Sequence, residues 1–189
     1  DGDGDLDIVS ASYLDDTIAW YENNGAADPT FTASNIATSA DGAIDVQVAD
    51  LDGDGDLDIV SASLDHNTNT IAWYENDGAV NPSWVATNIA TNLSSATSVF
   101  LTDLDGDGDI DILSSFYGND TIAWYENDGA ANPTFTAADI ATNIDGAYQI
   151  YAEDMDSDGD LDILASAKIG DKVVLFKNNG ASDPTFTAS

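Results

Sequence analysis

Short apolar runs of four to six residues, separated by turns, recur along the whole chain. One kind of run begins with Ile and continues with small residues, as at residues 8–12, and another reads Thr-Ile-Ala-Trp-Tyr-Glu, as at residues 70–75. Gly, Pro, Asn and Asp interrupt these runs, and no window shows a helical period. β-Branched and aromatic residues in such short runs are typical of strands. The pattern therefore predicts an all-β protein.

The runs are arranged in a unit of about 51 residues that occurs four times. We place the approximate units at residues 1–42, 43–95, 96–146 and 147–189. Four short strands in a repeat of roughly 50 residues are typical of a β-propeller blade. The sequence therefore predicts a single β-propeller segment built of four-stranded blades.

The aromatic run is apolar at successive positions, not at alternate ones. Residues 71–74 would therefore be covered on both faces, as in a blade that packs between two neighbours. The Trp residues of three such runs could instead stack on sugar rings, which makes a lectin with sites repeated between blades the alternative function: Trp20, Trp73 and Trp124. The fourth unit has Leu175 and Phe176 at this position, a change that a core accepts and a sugar platform does not. Packing is the favoured interpretation.

An Asp-rich segment, called an Asp loop below, comes directly before each Ile-led run. The four Asp loops are residues 1–7 (loop 1), 50–58 (loop 2), 103–111 (loop 3) and 154–162 (loop 4). Loop 2 carries five carboxylates within nine positions, and these repel one another unless a cation lies among them. Carboxylate oxygens on a Gly-containing loop suit a hard cation that accepts many ligands, and Ca²⁺ is the first candidate.

The charge balance is strongly acidic, with 36 Asp and Glu residues against 3 Lys and Arg residues and a formal net charge of −33. This balance argues against nucleic acid as a partner, and no apolar run is long enough for membrane insertion. A salt-adapted acidic surface is an alternative explanation. However, 19 of the acids lie in the four Asp loops, whereas a generic acidic surface would spread them over all exposed faces.

The units resemble the FG-GAP/VCBS repeats of integrin-type and bacterial secreted β-propellers over essentially the whole chain. The residues that carry the resemblance are the D-x-D-x-D-G-x-x-D pattern of the Asp loops and the W-Y-E-N-[ND]-G pattern of the following turns. The resemblance implies that each loop lies between the first and second strands of a blade and binds one Ca²⁺. Free Ca²⁺ is plentiful outside cells and scarce in cytosol, so we expect a secreted or cell-surface protein.

The resemblance also implies a ligand set for each loop. In loop 2, the side chains of Asp50, Asp52, Asp54 and Asp58 and the backbone carbonyl of Asp56 would bind the ion. In loop 3, the corresponding residues are Asp103, Asp105, Asp107 and Asp111, with the carbonyl of Asp109. In loop 4, they are Asp154, Asp156, Asp158 and Asp162, with the carbonyl of Asp160. In loop 1, the positions are Asp1, Asp3, Asp5 and Asp7; the leading Asp precedes the chain start, so this site would be weakened or empty.

Two other calcium-binding patterns fit less well. An EF-hand loop needs Glu at its twelfth position and flanking helices, but the twelfth position counted from Asp50 is Ser61. RTX-type repeats have a period of nine residues, not about 51.

The first unit starts inside its Asp loop, and the last unit ends at Ser189, three residues after Phe186. We therefore expect the first blade to lack its inner strand. The chain would be a segment of a longer propeller, or a protomer that completes a ring with other copies.

No plausible nucleophile and base pair occurs, and the single histidine, His66, is placed in a turn. The sequence therefore favours a non-catalytic, calcium-stabilised extracellular module for protein interaction or adhesion. All three basic residues lie in the last unit, where they could pair with acids of a neighbouring blade or mark a contact face: Lys168, Lys172 and Lys177.

Overall fold

A computed structural model describes residues 1–64 and 69–189. Within these residues the chain forms fifteen β-strands and no helix, so the all-β prediction is confirmed. His66 lies outside the described residues. No helix of the described part has the length and apolar character needed to cross a membrane.

The strands of the described residues form four antiparallel sheets, each in up-and-down order. Sheet 1 contains β1 (Ile8–Ser12), β2 (Thr17–Asn23) and β3 (Phe31–Ala37). Sheet 2 contains β4 (Ala43–Ala49), β5 (Asp58–Ser63), β6 (Thr70–Asn76) and β7 (Trp84–Thr91). Sheet 3 contains β8 (Ala96–Thr102), β9 (Asp111–Phe116), β10 (Thr121–Asn127) and β11 (Phe135–Ala141). Sheet 4 contains β12 (Ala147–Glu153), β13 (Asp162–Ala167), β14 (Lys172–Asn178) and β15 (Phe186–Ala188).

Sheet 1 differs from the other sheets at β1. In sheets 2 to 4 the strand after the Asp loop is paired on both sides, as β5 is with β4 and β6. β1 holds the corresponding place but pairs, among the described strands, with β2 alone. One edge of β1 therefore carries backbone groups without a strand partner, and the side chain of Ile8 is 49% exposed.

Apolar clusters lie between successive sheets, and the two inner aromatic strands, β6 and β10, each contribute to two of them. In β6, Ile71 and Trp73 join the cluster between sheets 2 and 3, whereas Ala72 and Tyr74 join the cluster between sheets 1 and 2. Strand β10 follows the same alternation between its two neighbouring sheets. Since adjacent strand residues point to opposite faces, a run that is apolar at every position is buried on both faces.

The Trp residues of the aromatic strands are core residues. Trp20, Trp73 and Trp124 are each no more than 7% exposed. The rings of Trp73 and Trp124 lie in the clusters between sheets, and at this burial none of the three rings forms an exposed platform for sugar rings.

Polar side chains connect neighbouring sheets near their first strands. The Asp45 carboxylate in β4 accepts hydrogen bonds from the Ser98 hydroxyl (2.8 Å) and from the Val99 N–H (3.1 Å) in β8. Between sheets 3 and 4, the hydroxyl of Thr97 donates to the carbonyl of Ala147 (3.2 Å). These bonds hold successive first strands side by side.

We expect Asp45→Ala to lower the free energy of unfolding by about 1–3 kcal/mol, because it leaves the Ser98 hydroxyl and the Val99 N–H without their acceptor. Urea unfolding followed by Trp fluorescence measures the loss. Asp28→Ala is the matched control, since it removes the same negative charge from an exposed residue. An equal change in both variants would contradict the assigned role of Asp45.

Candidate metal centres

Each Asp loop of sheets 2 to 4 joins the first strand of its sheet to the second. Loop 2 reverses direction through Gly53 (φ 74°) and Gly55 (φ 98°), backbone angles at which a β-carbon is unfavourable. Loop 4 has Ser157 (φ 65°) at the position of Gly53, so its turn is more strained.

The carboxylates of loop 2 organise its backbone. One oxygen of Asp50 accepts from the Gly53 N–H (2.8 Å) and the other from the Gly55 N–H (3.0 Å). Asp52 and Asp54 each accept a hydrogen bond from the N–H two residues further on. These bonds from backbone N–H groups to carboxylates fix the turn of loop 2. Loop 3 has the same bonds.

The last carboxylate of the loop is buried beneath it. Asp58 is 1% exposed, and its two oxygens accept from the N–H groups of Leu51 (3.2 Å) and Asn76 (2.9 Å). Burial raises the pKa of Asp58 to about 6, although these two bonds favour its charged form. Asp111 has the same surroundings in loop 3, and burial again raises its pKa to about 6. Both carboxylates lack the solvation that would stabilise their charge.

Three carboxylates converge in each of loops 2, 3 and 4, with ligand atoms within 4.8 Å of one another. These triads, found among the described residues, are Asp50, Asp52 and Asp58; Asp103, Asp105 and Asp107; and Asp154, Asp156 and Asp158. Two like unit charges 4.8 Å apart repel by between about 1 and about 3.5 kcal/mol, depending on whether the effective dielectric is that of water or of a protein surface.

The pKa of the second carboxylate of each triad differs between the loops. Burial, together with the charges of the flanking carboxylates, raises the pKa of Asp52 and of Asp105. The pKa of Asp156, in loop 4, is lowered instead, because the Lys177 ammonium lies 2.8 Å from its carboxylate. Lys177 thus pairs with an acid of its own unit, not with one of a neighbouring blade.

The remaining predicted ligands are placed less uniformly. Asp54 is not a member of the loop 2 triad, although the corresponding residues Asp107 and Asp158 belong to the triads of loops 3 and 4. Asp58 is a member of the loop 2 triad, whereas the corresponding residues Asp111 and Asp162 lie outside theirs. In loop 1, no triad forms among the described carboxylates of Asp1, Asp3, Asp5 and Asp7. That a metal ion binds through these particular residues stays a prediction.

The penultimate Asp of each loop packs against a glycine in the turn after the aromatic strand. The Asp56 carboxylate contacts Gly78, and a β-carbon at Gly78 would collide with it. The same contact occurs in every unit, in the pairs Asp5 with Gly25, Asp109 with Gly129 and Asp160 with Gly180. In these residues the carboxylate is therefore held beside the following turn, and the predicted role of the backbone carbonyl as a ligand stays a prediction.

One functional residue was not predicted, namely the Asn that ends each aromatic strand. The Asn127 side-chain amide donates to the carbonyl of Ile110 in loop 3 (3.0 Å) and to the carbonyl of Leu51 in loop 2 (2.9 Å). Asn178 contacts loops 4 and 3 in the same way, through Leu161 and Leu104. Asn127 and Asn178 therefore each tie their own Asp loop to the loop of the preceding sheet. The side-chain amide of Asn76, by contrast, donates among the described residues only to Leu57 in its own loop. The presence of this Asn in all four units was the available signal.

The triads fit a hard divalent cation. Two oxygens that each lie about 2.4 Å from one Ca²⁺ are at most about 4.8 Å apart. All the donors are carboxylate oxygens, which suit Ca²⁺ or Mg²⁺ better than a metal that prefers nitrogen or sulfur ligands.

We expect Gly129→Ala to destabilise the protein more than Gly106→Ala, both measured by urea unfolding in excess EDTA. Both glycines have positive φ (64° and 80°), so both substitutions add backbone strain of about 1 kcal/mol. Only the Gly129 β-carbon would displace Asp109, at a further cost of about 1–3 kcal/mol, because the space at Gly106 is open. Equal losses would show that the contact between Asp109 and Gly129 contributes nothing.

The matches to a known repeat family have the same spacing as the Asp loops. An FG-GAP-like repeat is matched at residues 1–61, 50–114 and 103–165. Each match begins at the first residue of an Asp loop and continues through the next loop into the strand that follows it. A search of curated proteins found no match. Because the matches cover most of the chain, the protein belongs to the FG-GAP-like repeat family.

Proposed function

We propose that this chain is a non-catalytic, calcium-stabilised β-propeller module that acts outside the cell in protein interaction or adhesion. The observation that carries the proposal is the recurrence of a carboxylate triad at the same turn of three successive sheets. FG-GAP-like repeats suggest a β-rich module for protein interaction, and they are typical of extracellular or surface proteins. That setting also supplies free Ca²⁺.

The role proposed for Ca²⁺ is to offset charge repulsion within a loop and to strengthen contacts between sheets. An ion at the triad of loop 2 would order the segment whose Leu51 carbonyl accepts the Asn127 amide of sheet 3. Ion binding in one sheet would therefore stabilise the packing of the next sheet against it.

The repetition of the triads also supports a non-catalytic role. Catalytic sites are usually single, whereas these carboxylates recur in three sheets with similar backbone bonds. A structural metal explains the repetition directly, since each repeat must stabilise its own loop.

Ring completion by further repeats, from the rest of a longer chain or from other copies, accounts for the open surfaces of sheet 1. A cavity of about 450 Å³ lies beside the free edge of β1, where Val9, Trp20, Val48 and Trp84 contribute to its lining. Val48 is 42% exposed there. An added strand with the chemistry of β4 would cover these side chains and supply the leading Asp of loop 1.

Chelation should lower the melting temperature. At a hundredfold excess over the dissociation constant, an ion stabilises a one-site protein by about 2.7 kcal/mol, which corresponds to roughly 5–10 °C per site for a chain of this size. Differential scanning calorimetry in EDTA and in CaCl₂ at equal ionic strength measures the shift. Asp105→Asn should bind one ion fewer, whereas Asp28→Asn removes the same charge outside the Asp loops and should bind the same number. An unchanged melting temperature in EDTA would refute the calcium role.

We expect an N-terminal extension with the sequence of residues 43–51 to complete sheet 1. By the register of β4 on β5, its copy of Val48 would lie opposite Ile8, and its copy of Asp50 would lead loop 1. The extended chain should melt higher and bind one additional Ca²⁺ by calorimetric titration. The same extension with Asn at the Asp50 position should raise the melting temperature without adding a tight ion site. An extension that changes neither quantity would contradict the proposed strand addition.

A further inference from the structure

Sheet 4 differs from the other sheets at one charged position. The residue before the terminal Asn of the aromatic strand is Glu22 in β2, Glu75 in β6 and Glu126 in β10, but it is Lys177 in β14. The backbone places these residues equivalently, since Glu126 is opposite Thr136 in β11 and Lys177 is opposite Thr187 in β15. A negative side chain in three sheets is therefore replaced by a positive one.

The positive charge reaches the metal-binding position of its own sheet. The Lys177 Nζ lies 2.8 Å from Asp156 Oδ2, and Asp156 is a member of the triad of loop 4. Both side chains are partly exposed, at 46% and 33%, so the ammonium can leave and an ion can enter from solvent. No corresponding ion pair occurs at the triads of loops 2 and 3 among the described residues.

An ammonium at this distance affects a divalent ion in two ways. It is paired with a carboxylate that the ion would bind, and it repels the ion from close range. In the absence of an ion it attracts the same carboxylate and so reduces the repulsion within the triad. The Glu residues at this position in the other sheets would attract the ion. In the absence of an ion, they would add to the repulsion within the triad.

We propose that Lys177 is a tethered cation that lowers the calcium affinity of loop 4 below that of loops 2 and 3 and makes sheet 4 less dependent on calcium. The inference rests on the calcium role proposed above. As the calcium concentration falls, loop 4 would release its ion first, and sheet 4 would nevertheless keep a positive charge at its triad.

The test combines Lys177→Glu, which restores the residue of the other sheets, with the reciprocal Glu126→Lys. Calcium affinities are measured by isothermal titration calorimetry, and unfolding is measured by urea in EDTA. Lys177→Glu should tighten the weakest site by about tenfold and destabilise the metal-free protein. Glu126→Lys should weaken one tight site by about tenfold and stabilise the metal-free protein.

Lys172→Glu is the matched control, because it makes the same charge change on the same strand. Lys172 lies five residues from Lys177, about 16 Å along β14, which is beyond the screening length of about 8 Å at physiological salt. Lys172→Glu should therefore change neither the affinity of the weakest calcium site nor the stability in EDTA appreciably. Lys177→Met, which removes the charge without adding a carboxylate, should tighten the weakest site by a smaller factor than Lys177→Glu.

Specific outcomes would overturn the inference. Equal effects of Lys177→Glu and Lys172→Glu would assign the change to net charge, and an unchanged weakest site in Lys177→Glu would exclude the competition. The loop strain at Ser157 would then be one of the local differences left to explain a weaker site in loop 4. If no variant bound calcium at all, the calcium proposal itself would fail as well. That outcome is distinct from one in which three calcium sites bind but their affinities do not change in the Lys177 variants.

Discussion

Repulsion among carboxylates at the first turn of each sheet is the interaction on which this structure depends. Each triad brings three acidic side chains within 4.8 Å of one another, and in loop 2 both oxygens of Asp50 also accept backbone hydrogen bonds that shape the loop. Asp58 adds a desolvated charge beneath the loop. The backbone N–H groups offset part of this cost, but they carry only partial charges. A full positive charge at the loop centre would offset the repulsion that remains.

The loops also take part in the packing of the sheets, so their electrostatics cannot be separated from the core. Asn127 bonds to two loops at once, and the sheets that carry those loops share an apolar cluster. Loosening loop 2 would expose the Leu51 carbonyl and weaken the contact with sheet 3. Stability in such an array is a sum of terms for single sheets and for the interfaces between neighbours. Charge in the loops contributes to both kinds of term.

The sequence was sufficient to predict the strands and the positions of the Asp loops, because both depend on local patterns that recur in register. Successive apolar residues at 71–74 implied burial on two faces, and alternate residues indeed enter different clusters. Contacts between units were not predictable in this way. The bond from Asn127 to Leu51 spans 76 residues, and the pairing of Lys177 with Asp156 required the reach of one side chain from a strand to a loop. A linear pattern does not contain such distances.

The outer faces of the two terminal sheets resemble the two kinds of face that meet between sheets 2 and 3. Between sheets 2 and 3, the Ile and Trp face of one aromatic strand meets the Ala and Tyr face of the next, since Ile71 and Trp73 share a cluster with Ala123 and Tyr125. In β14 the first of these faces consists of Val173 and Leu175, and Val173 is 63% exposed. In β2 the second face includes Tyr21, which is only partly buried. The outer face of β14 thus corresponds to the first kind of face, and the outer face of β2 corresponds to the second kind. Leu in place of Trp fills less volume, so an interface formed by sheet 4 with another such sheet would gain less from apolar burial than the internal ones.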